Sequence, residues 1–427
     1  MSTGLNFRLS TMMFLQYAIW GAWLPLLYPF LMGHRGFSLD ETGYCLMAGA
    51  VGAIFGPFIA GQIADRHFAT ERFLAFSHLA GAALVWFLAD VSTFGAFFVM
   101  SLLYGLVYAP TLSLTNSLAL HHLPNRDRDF GRVRVWGTIG WIVVGIAVGH
   151  WLAQQHTPDG IPEIVTAAQN AGRADAFRLS ASLGVVMGLF CFTLPHTPPT
   201  RDAPKRNAAF EALGDIRRQP LVTLFLLAVP VSCIHQFYFV HTSSFLTGLQ
   251  NNVSDANEFA KSINSILGVG GGGLMTIGQM TEILVLASIP FLAKTWSRKT
   301  LLATGLTAYA ARMALFAYAG DSMPLVLLGV ALHGLCFGCF IFVAYLVVDE
   351  ETSSDVRASA QSLFNIVIIG VGIIVGSLIA TSVVGEMAKD AAGATNYTTL
   401  FSIPMWASVA CLALLMLFYP SKSSKGA

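Results

Sequence analysis

The chain has 427 residues, of which 55% are hydrophobic and only 11% charged, with a mean hydropathy of +0.64. An average soluble domain carries about a quarter charged residues, so a soluble globule, a disordered chain and a secreted disulfide scaffold are excluded together. The 24 Lys and Arg against 23 Asp and Glu leave no basic field for nucleic acid. The composition is that of an all-α integral membrane protein lodged in the lipid bilayer.

A helix needs about 20 apolar residues to cross the hydrocarbon core. Taken in chain order, twelve runs approach that length: 10–33, 41–64, 73–91, 94–120, 134–153, 179–195, 221–247, 273–294, 300–319, 323–348, 358–385 and 399–419. The opening MSTGLNFRLS enters the first run without a small-residue cleavage site, and further runs follow, so it reads as a first transmembrane helix rather than a removable signal. Basic residues crowd the even-numbered loops: Arg126, Arg128, Arg132 and Arg134, then Arg201 to Arg218, then Lys294, Arg298 and Lys299. The odd-numbered loops hold only Arg35, Arg173, Arg178, Lys261 and Lys389. The positive-inside rule therefore puts both termini in the cytoplasm, with the chain multi-pass in the cell (inner) membrane.

Between the sixth and seventh runs lies HTPPTRDAPKRNAAFEALGDIRRQP (196–220), which is polar, basic and proline-containing. It reads as a cytoplasmic linker separating a six-helix bundle at 1–195 from a second at 221–427. The halves carry a faint echo: DRDFGRVRVWGTIGW leads into the fifth run and SSDVRASAQSLFNIV into the eleventh. Two pseudo-symmetric six-helix halves about a midplane site are how a large class of secondary transporters is built.

The six cysteines (Cys45, Cys191, Cys233, Cys336, Cys339 and Cys411) all fall in apolar runs and read as packing residues, including the C-x-x-C of Cys336 and Cys339. The GVGGGG run (268–273) lacks the Lys-Ser/Thr of a phosphate cradle and reads as a hinge or small-residue packing. Sequons stand at Asn252 and Asn396.

A charge at the centre of a membrane helix costs about 2.5–3.5 kcal/mol, which makes each one a functional candidate. Glu282, in IGQMTEIL, and Arg312, in YAARMALF, lie at similar depth on neighbouring antiparallel helices, where they can pair. Such a pair serves either as a structural clamp or as a proton-coupling carboxylate with its counter-ion. Gln279 shares the face of Glu282, and an amide beside a carboxylate makes an edge that binds hydroxyls. Arg134, Thr138 and Trp141 share a face of the fifth helix; this trio suits a planar or sugar-like ligand, although Arg134 alone is also placed to snorkel. Gln236 and His333 lie near mid-depth on helices expected to line a central cavity, where both are expected to bind the substrate. His78, His150, His235 and His241 read as packing histidines.

The segments FLQYAIWGAW (14–23), YAPTLSLTNS (108–117), RVWGTIGW (134–141), TLPH (193–196), GQMTEIL (278–284), SIPF (288–291), MALFAYAG (313–320) and RASAQ (357–361) stand in the order and spacing of the bacterial nucleoside/proton symporters. The chain resembles that family, which belongs to the major facilitator superfamily, and GQIADR (61–66) is similar to a loop signature of that superfamily. The resemblance implies twelve transmembrane helices in two halves and substrate-binding roles for Arg134, Thr138, Trp141, Gln236, Gln279, Glu282 and Phe337, with Glu282 tied to ribose and to the proton. The chain departs from the family at Phe239, where an Asn is usual, at His333 in place of Tyr, and at Gly338 in place of an acid. Loss of the Asn and the acid removes hydrogen-bonding partners, through which such sites discriminate.

The expected activity is proton-coupled import of a small neutral hydroxylated solute, most simply a nucleoside, by alternating access. The alternative is a sugar/proton symporter of lactose-permease type. No catalytic cluster, metal site, cofactor motif or ATP-binding loop is legible, so an enzyme or a pump is not expected, and the carrier is expected to act as a monomer.

Overall fold

The computed structural model describes residues 3–59, 68–198, 216–253, 257–352 and 357–420. GQIADR and most of the 196–220 linker lie outside them. Among the described residues the regular elements are helices: α1 (Thr3–Trp23), α2 (Leu39–Ile59), α3 (Thr70–Leu88), α4 (Phe94–His122), α5 (Arg126–Gln155), the short α6 (Pro162–Gly172), and α7 (Ala174–Cys191). They continue as α8 (Leu221–Val253), the short α9 (Glu258–Leu267), α10 (Gly272–Leu292), α11 (Arg298–Tyr318), α12 (Met323–Glu351), α13 (Ser359–Met387) and α14 (Tyr397–Phe418).

Each of the twelve apolar runs overlaps one of these helices within the described residues. Among the described residues ten spans, beginning with α3 and counting α6 and α7 as one, are long and apolar enough to cross a bilayer. The other two expected spans overlie α1 with its continuation to Arg35, and α2. Pro25 explains the break after α1: with no N–H to donate, it ends the regular ladder in a 3₁₀ turn at Leu24–Leu26. Helix starts are set by side-chain acceptors for the orphan first-turn N–H groups. Asn125 Oδ1 accepts from Arg128 N at 3.0 Å, Ser297 Oγ from Thr300 N at 3.0 Å, and Asn396 Oδ1 from Thr399 N at 3.0 Å. The sequon residue Asn396 is thus a helix cap.

Apolar side chains cover the outside, as lipid contact requires: Leu226, Phe291 and Leu417 are 72%, 70% and 76% exposed, whereas Arg312 is fully buried. The chain groups into two compact units. The first is Met1–Asp202 with His241–Thr276; the second is Ala203–Val240 with Ile277–Ala427.

In the first unit α1 runs along α5 and α7, α2 along α4, and α3 along α4 and α7. A buried polar knot ties three of them. Gln16 Nε2 donates to Thr111 Oγ1 (2.8 Å), His78 Nε2 lies 2.9 Å from Gln16 Oε1, and Tyr108 Oη donates to the Gln16 carbonyl (2.5 Å). His78 is therefore a satisfied packing histidine. The TLPH segment is clasped to the start of α3, with His196 Nδ1 2.8 Å from Glu71 Oε1 and the Thr197 amide donating to Glu71 Oε2 at 3.0 Å.

In the second unit α11 packs along α14 and the middle of α12, where Phe316 meets Phe401 edge-on at 5.2 Å. All six cysteines are buried and free, and Cys336 and Cys339 lie in a π-helical stretch of α12, Cys336–Phe342.

Candidate functional site

In the second unit the chemistry collects where α8, α10, α11 and α12 meet. Two glycines permit it. A Cβ on Gly334 would stand 2.5 Å from the Thr281 carbonyl carbon and 2.7 Å from the Glu282 amide nitrogen, so only glycine lets α12 press on the α10 backbone there. A Cβ on Gly278 would meet His333 Cβ at 2.8 Å. Thr281 Oγ1 donates to the Ala331 carbonyl at 2.7 Å and pins the same crossing. His333 is thereby seated beside Glu282.

Glu282 and Arg312 are linked through this imidazole. Arg312 Nη1 lies 3.1 Å from His333 Nδ1, and His333 Nε2 lies 3.8 Å from Glu282 Oε2. His333, expected on a cavity wall, is only 2% exposed, with one ring nitrogen facing the guanidinium and the other the carboxylate; the Glu282 side chain is 15% exposed. The Arg312 guanidinium also stacks on Tyr238 (4.4 Å) and Tyr309 (5.0 Å). Its Nε and Nη2 have no hydrogen-bond acceptor among the described residues, so the ring faces take that place. A desolvated cation–π contact is worth about 2 kcal/mol. Two of them are of the size of the ~2.5–3.5 kcal/mol insertion cost of a membrane charge, so aromatic faces and carboxylate together make Arg312 tolerable.

His235 extends the cluster. Its ring stacks on His333 at 5.3 Å, and its Nδ1 lies 2.6 Å from Tyr309 Oη. Phe239 sits edge-on to both imidazoles, at 5.2 Å from His235 and 6.0 Å from His333. The Phe337 ring lies 6.4 Å from His333, nearly parallel to it. Gln236 Nε2 donates to Ser377 Oγ at 3.0 Å, leaving its carbonyl for other use. Gln279 is buried, and its Oε1 has no donor among the described residues. A Cβ at Gly338 would lie 2.6 Å from Val285 Cγ1, so any side chain there would require Val285 to shift.

The first unit holds the other expected trio on α5. The Arg134 guanidinium lies 4.1 Å over the Tyr17 ring of α1. Trp141 meets Trp20 edge-on at 5.8 Å, and Trp20 in turn meets Tyr108 at 6.0 Å. Thr138 is half-buried on the same stretch of α5. Tyr17 and Trp20 were not singled out from the sequence, although their three-residue spacing in FLQYAIWGAW was a usable signal. Nor were Tyr238 and Tyr309.

Arg173 was read only as a loop cation, yet it is fully buried. Its Nη2 donates to Thr247 Oγ1 (2.9 Å) and to the Gly270 carbonyl (3.0 Å), and its Nη1 donates to Asn170 Oδ1. Gln250 holds the same glycine run, donating to the Gly268 carbonyl and accepting from the Gly271 amide, both at 2.9 Å. The run is a tied turn.

Buried ionisable groups on apolar helices, with aromatic faces and unspent amide acceptors nearby, define a membrane carrier for a polar solute. The family model described as nucleoside H+ symporter matches residues 1–424, and the chain belongs to that family. YegT of Escherichia coli (strain K12) is 34% identical over 387 residues, covering 86% of this chain and 82% of YegT. The nucleoside permease NupG of the same organism is 26% identical over 414 residues, covering 93% and 92%. The crystal structure of nucleoside transporter NupG superposes with a TM-score of 0.80 at 25% identity, over 98% of this chain and all of that one. The fold is therefore that of the major facilitator superfamily, and the chain is a multi-pass, proton-coupled nucleoside transporter. The sugar/proton alternative is set aside by this family membership. The family is one of transporters, and nothing in these likenesses points to catalysis.

Proposed function

We propose that the chain imports nucleosides across the cell inner membrane together with protons, with both termini cytoplasmic, as a monomer and without enzymatic activity. The halves 1–195 and 221–427, joined by the 196–220 linker, alternate the access of the site. Arg134, Thr138, Trp141, Gln236, Gln279, Glu282 and Phe337 contact the substrate, with His333 at the back of Glu282. Aromatic rings take the flat base, the unspent Gln279 carbonyl accepts an O–H or N–H, and the Glu282 carboxylate accepts from ribose. Glu282, with Arg312 as its counter-charge, carries the coupled proton.

The observation that supports this reading is the buried series Glu282–His333–Arg312, an acid and a cation held on the two ring nitrogens of one imidazole. Uptake of labelled uridine, adenosine, lactose and xylose into cells expressing the chain, with and without a protonophore, tests it. Protonophore-sensitive uptake of the nucleosides alone is expected; uptake of lactose or xylose only, or insensitivity to the protonophore, would overturn it. Glu282→Gln is expected to abolish accumulation against a gradient while leaving counterflow, which needs no proton release, partly intact.

A further inference from the structure

The family resemblance puts a tyrosine where this chain has His333, so the histidine's role must be read from its own surroundings. A guanidinium nitrogen only donates. With Arg312 Nη1 at 3.1 Å, His333 Nδ1 therefore presents a lone pair, and the single ring proton of the neutral imidazole sits on Nε2, facing Glu282 Oε2 at 3.8 Å. That gap exceeds a hydrogen bond.

The same contact bars the ring from taking a second proton. A proton on Nδ1 would meet the Nη1–H head-on and set an imidazolium against a buried guanidinium. Only Glu282, on α10, brings an opposite charge to the ring, and it does so on the far side from Nδ1. From α8 the ring faces His235, Tyr238 and Phe239, at 5.3, 4.8 and 6.0 Å. From α11 it faces Arg312, with Tyr309 behind His235; on α12 its neighbours are Cys336 and Phe337; α10 contributes Glu282. Glu282 is the one carboxylate in this set.

We infer that His333 is a positioning residue, a tautomer-locked neutral donor that relays the charge of Arg312 to Glu282 and does not itself carry the coupled proton. The inference rests on the symport reading above and specifies where the proton resides. Glu282 carboxylate plus one proton gives Glu282 carboxylic acid, and the imidazole keeps its own proton on Nε2 throughout. In the ionised state Nε2–H donates to the carboxylate; in the acid state that bond relaxes and Glu282 is released toward the substrate.

The test compares His333→Asn, whose amide offers one acceptor and one donor but cannot carry a proton, with His333→Phe, which keeps only the ring shape. Gradient-driven uridine accumulation and uridine counterflow are measured in vesicles, with the amount of folded carrier normalised by size-exclusion profile. His333→Asn is expected to keep accumulation within about threefold of wild type, and His333→Phe to lose at least ~tenfold, the scale of a lost charge-assisted hydrogen bond. Accumulation abolished in His333→Asn with counterflow intact would make the imidazole the proton carrier and overturn the inference. Wild-type accumulation in His333→Phe would overturn it equally. If His333→Phe does not fold, the comparison of His333→Asn with His333→Gln against wild type still decides between relay and carrier. Failure of the wild-type chain to accumulate uridine at all would remove the symport reading and this inference with it, whereas failure of His333→Asn in an active background removes this inference alone.

Discussion

Gly334→Ala is the sharpest test of how the site is assembled. The added methyl would lie 2.5 Å from the Thr281 carbonyl carbon, 2.6 Å from its oxygen and 2.7 Å from the Glu282 nitrogen. These are backbone atoms, so no flexible side chain can swing aside, and α12 must move off α10. Overpacking of this kind costs about 1–3 kcal/mol. The Thr281–Ala331 hydrogen bond at 2.7 Å and the 3.8 Å approach of His333 to Glu282 both span the displaced crossing. The variant should unfold earlier in a thermal ramp of detergent-purified carrier, by at least ~2 °C. Gradient-driven uridine uptake should fall further than the stability loss alone explains. Gly95→Ala serves as the control, since a Cβ there meets nothing within 4 Å. Wild-type melting and uptake in Gly334→Ala would refute the claim that this close approach seats the histidine.

Other substitutions probe the charges. Glu282→Gln leaves Arg312 without its counter-charge and should destabilise; the double variant Glu282→Gln/Arg312→Gln should regain ~0.5–3 kcal/mol relative to additivity, and additive melting shifts would argue against coupling. Arg134→Ala should insert normally yet transport uridine at least ~tenfold more slowly, as loss of a charged hydrogen bond to substrate requires; wild-type uptake would reduce Arg134 to packing on Tyr17. Arg173→Ala should orphan acceptors on Thr247 and Gly270 and cost ~1–3 kcal/mol in thermal stability, and an unchanged melting curve would show that the buried guanidinium does not hold the glycine turn.

The apolar runs were readable because twenty consecutive hydrophobic residues have few fates other than a membrane helix, although the helix limits differ from the runs, as at Thr3–Trp23 against 10–33 and Arg126–Gln155 against 134–153. Glu282 and Arg312 stood out for the same reason: a charge is conspicuous against an apolar background. Their surroundings were less legible. Helical rise gives the depth of a residue on its own helix but not the rotation of its neighbour, so equal depth brought the two charges together without revealing that the His333 imidazole reaches both. Tyr238 and Tyr309 escaped notice because an aromatic residue in a membrane helix is common, and only proximity to Arg312 makes those two a cation cage. Arg173 looked like one more loop cation, since exposure is invisible in a string of letters.

Hydropathy, charge placement and the spaced family segments thus decided, before any coordinates, that this chain is a helical carrier and which acid to suspect. Which side chains enclose that acid was settled by glycine-permitted helix crossings. Those depend on contacts between residues far apart in the chain, as between Glu282 and Gly334, and no local pattern encodes them.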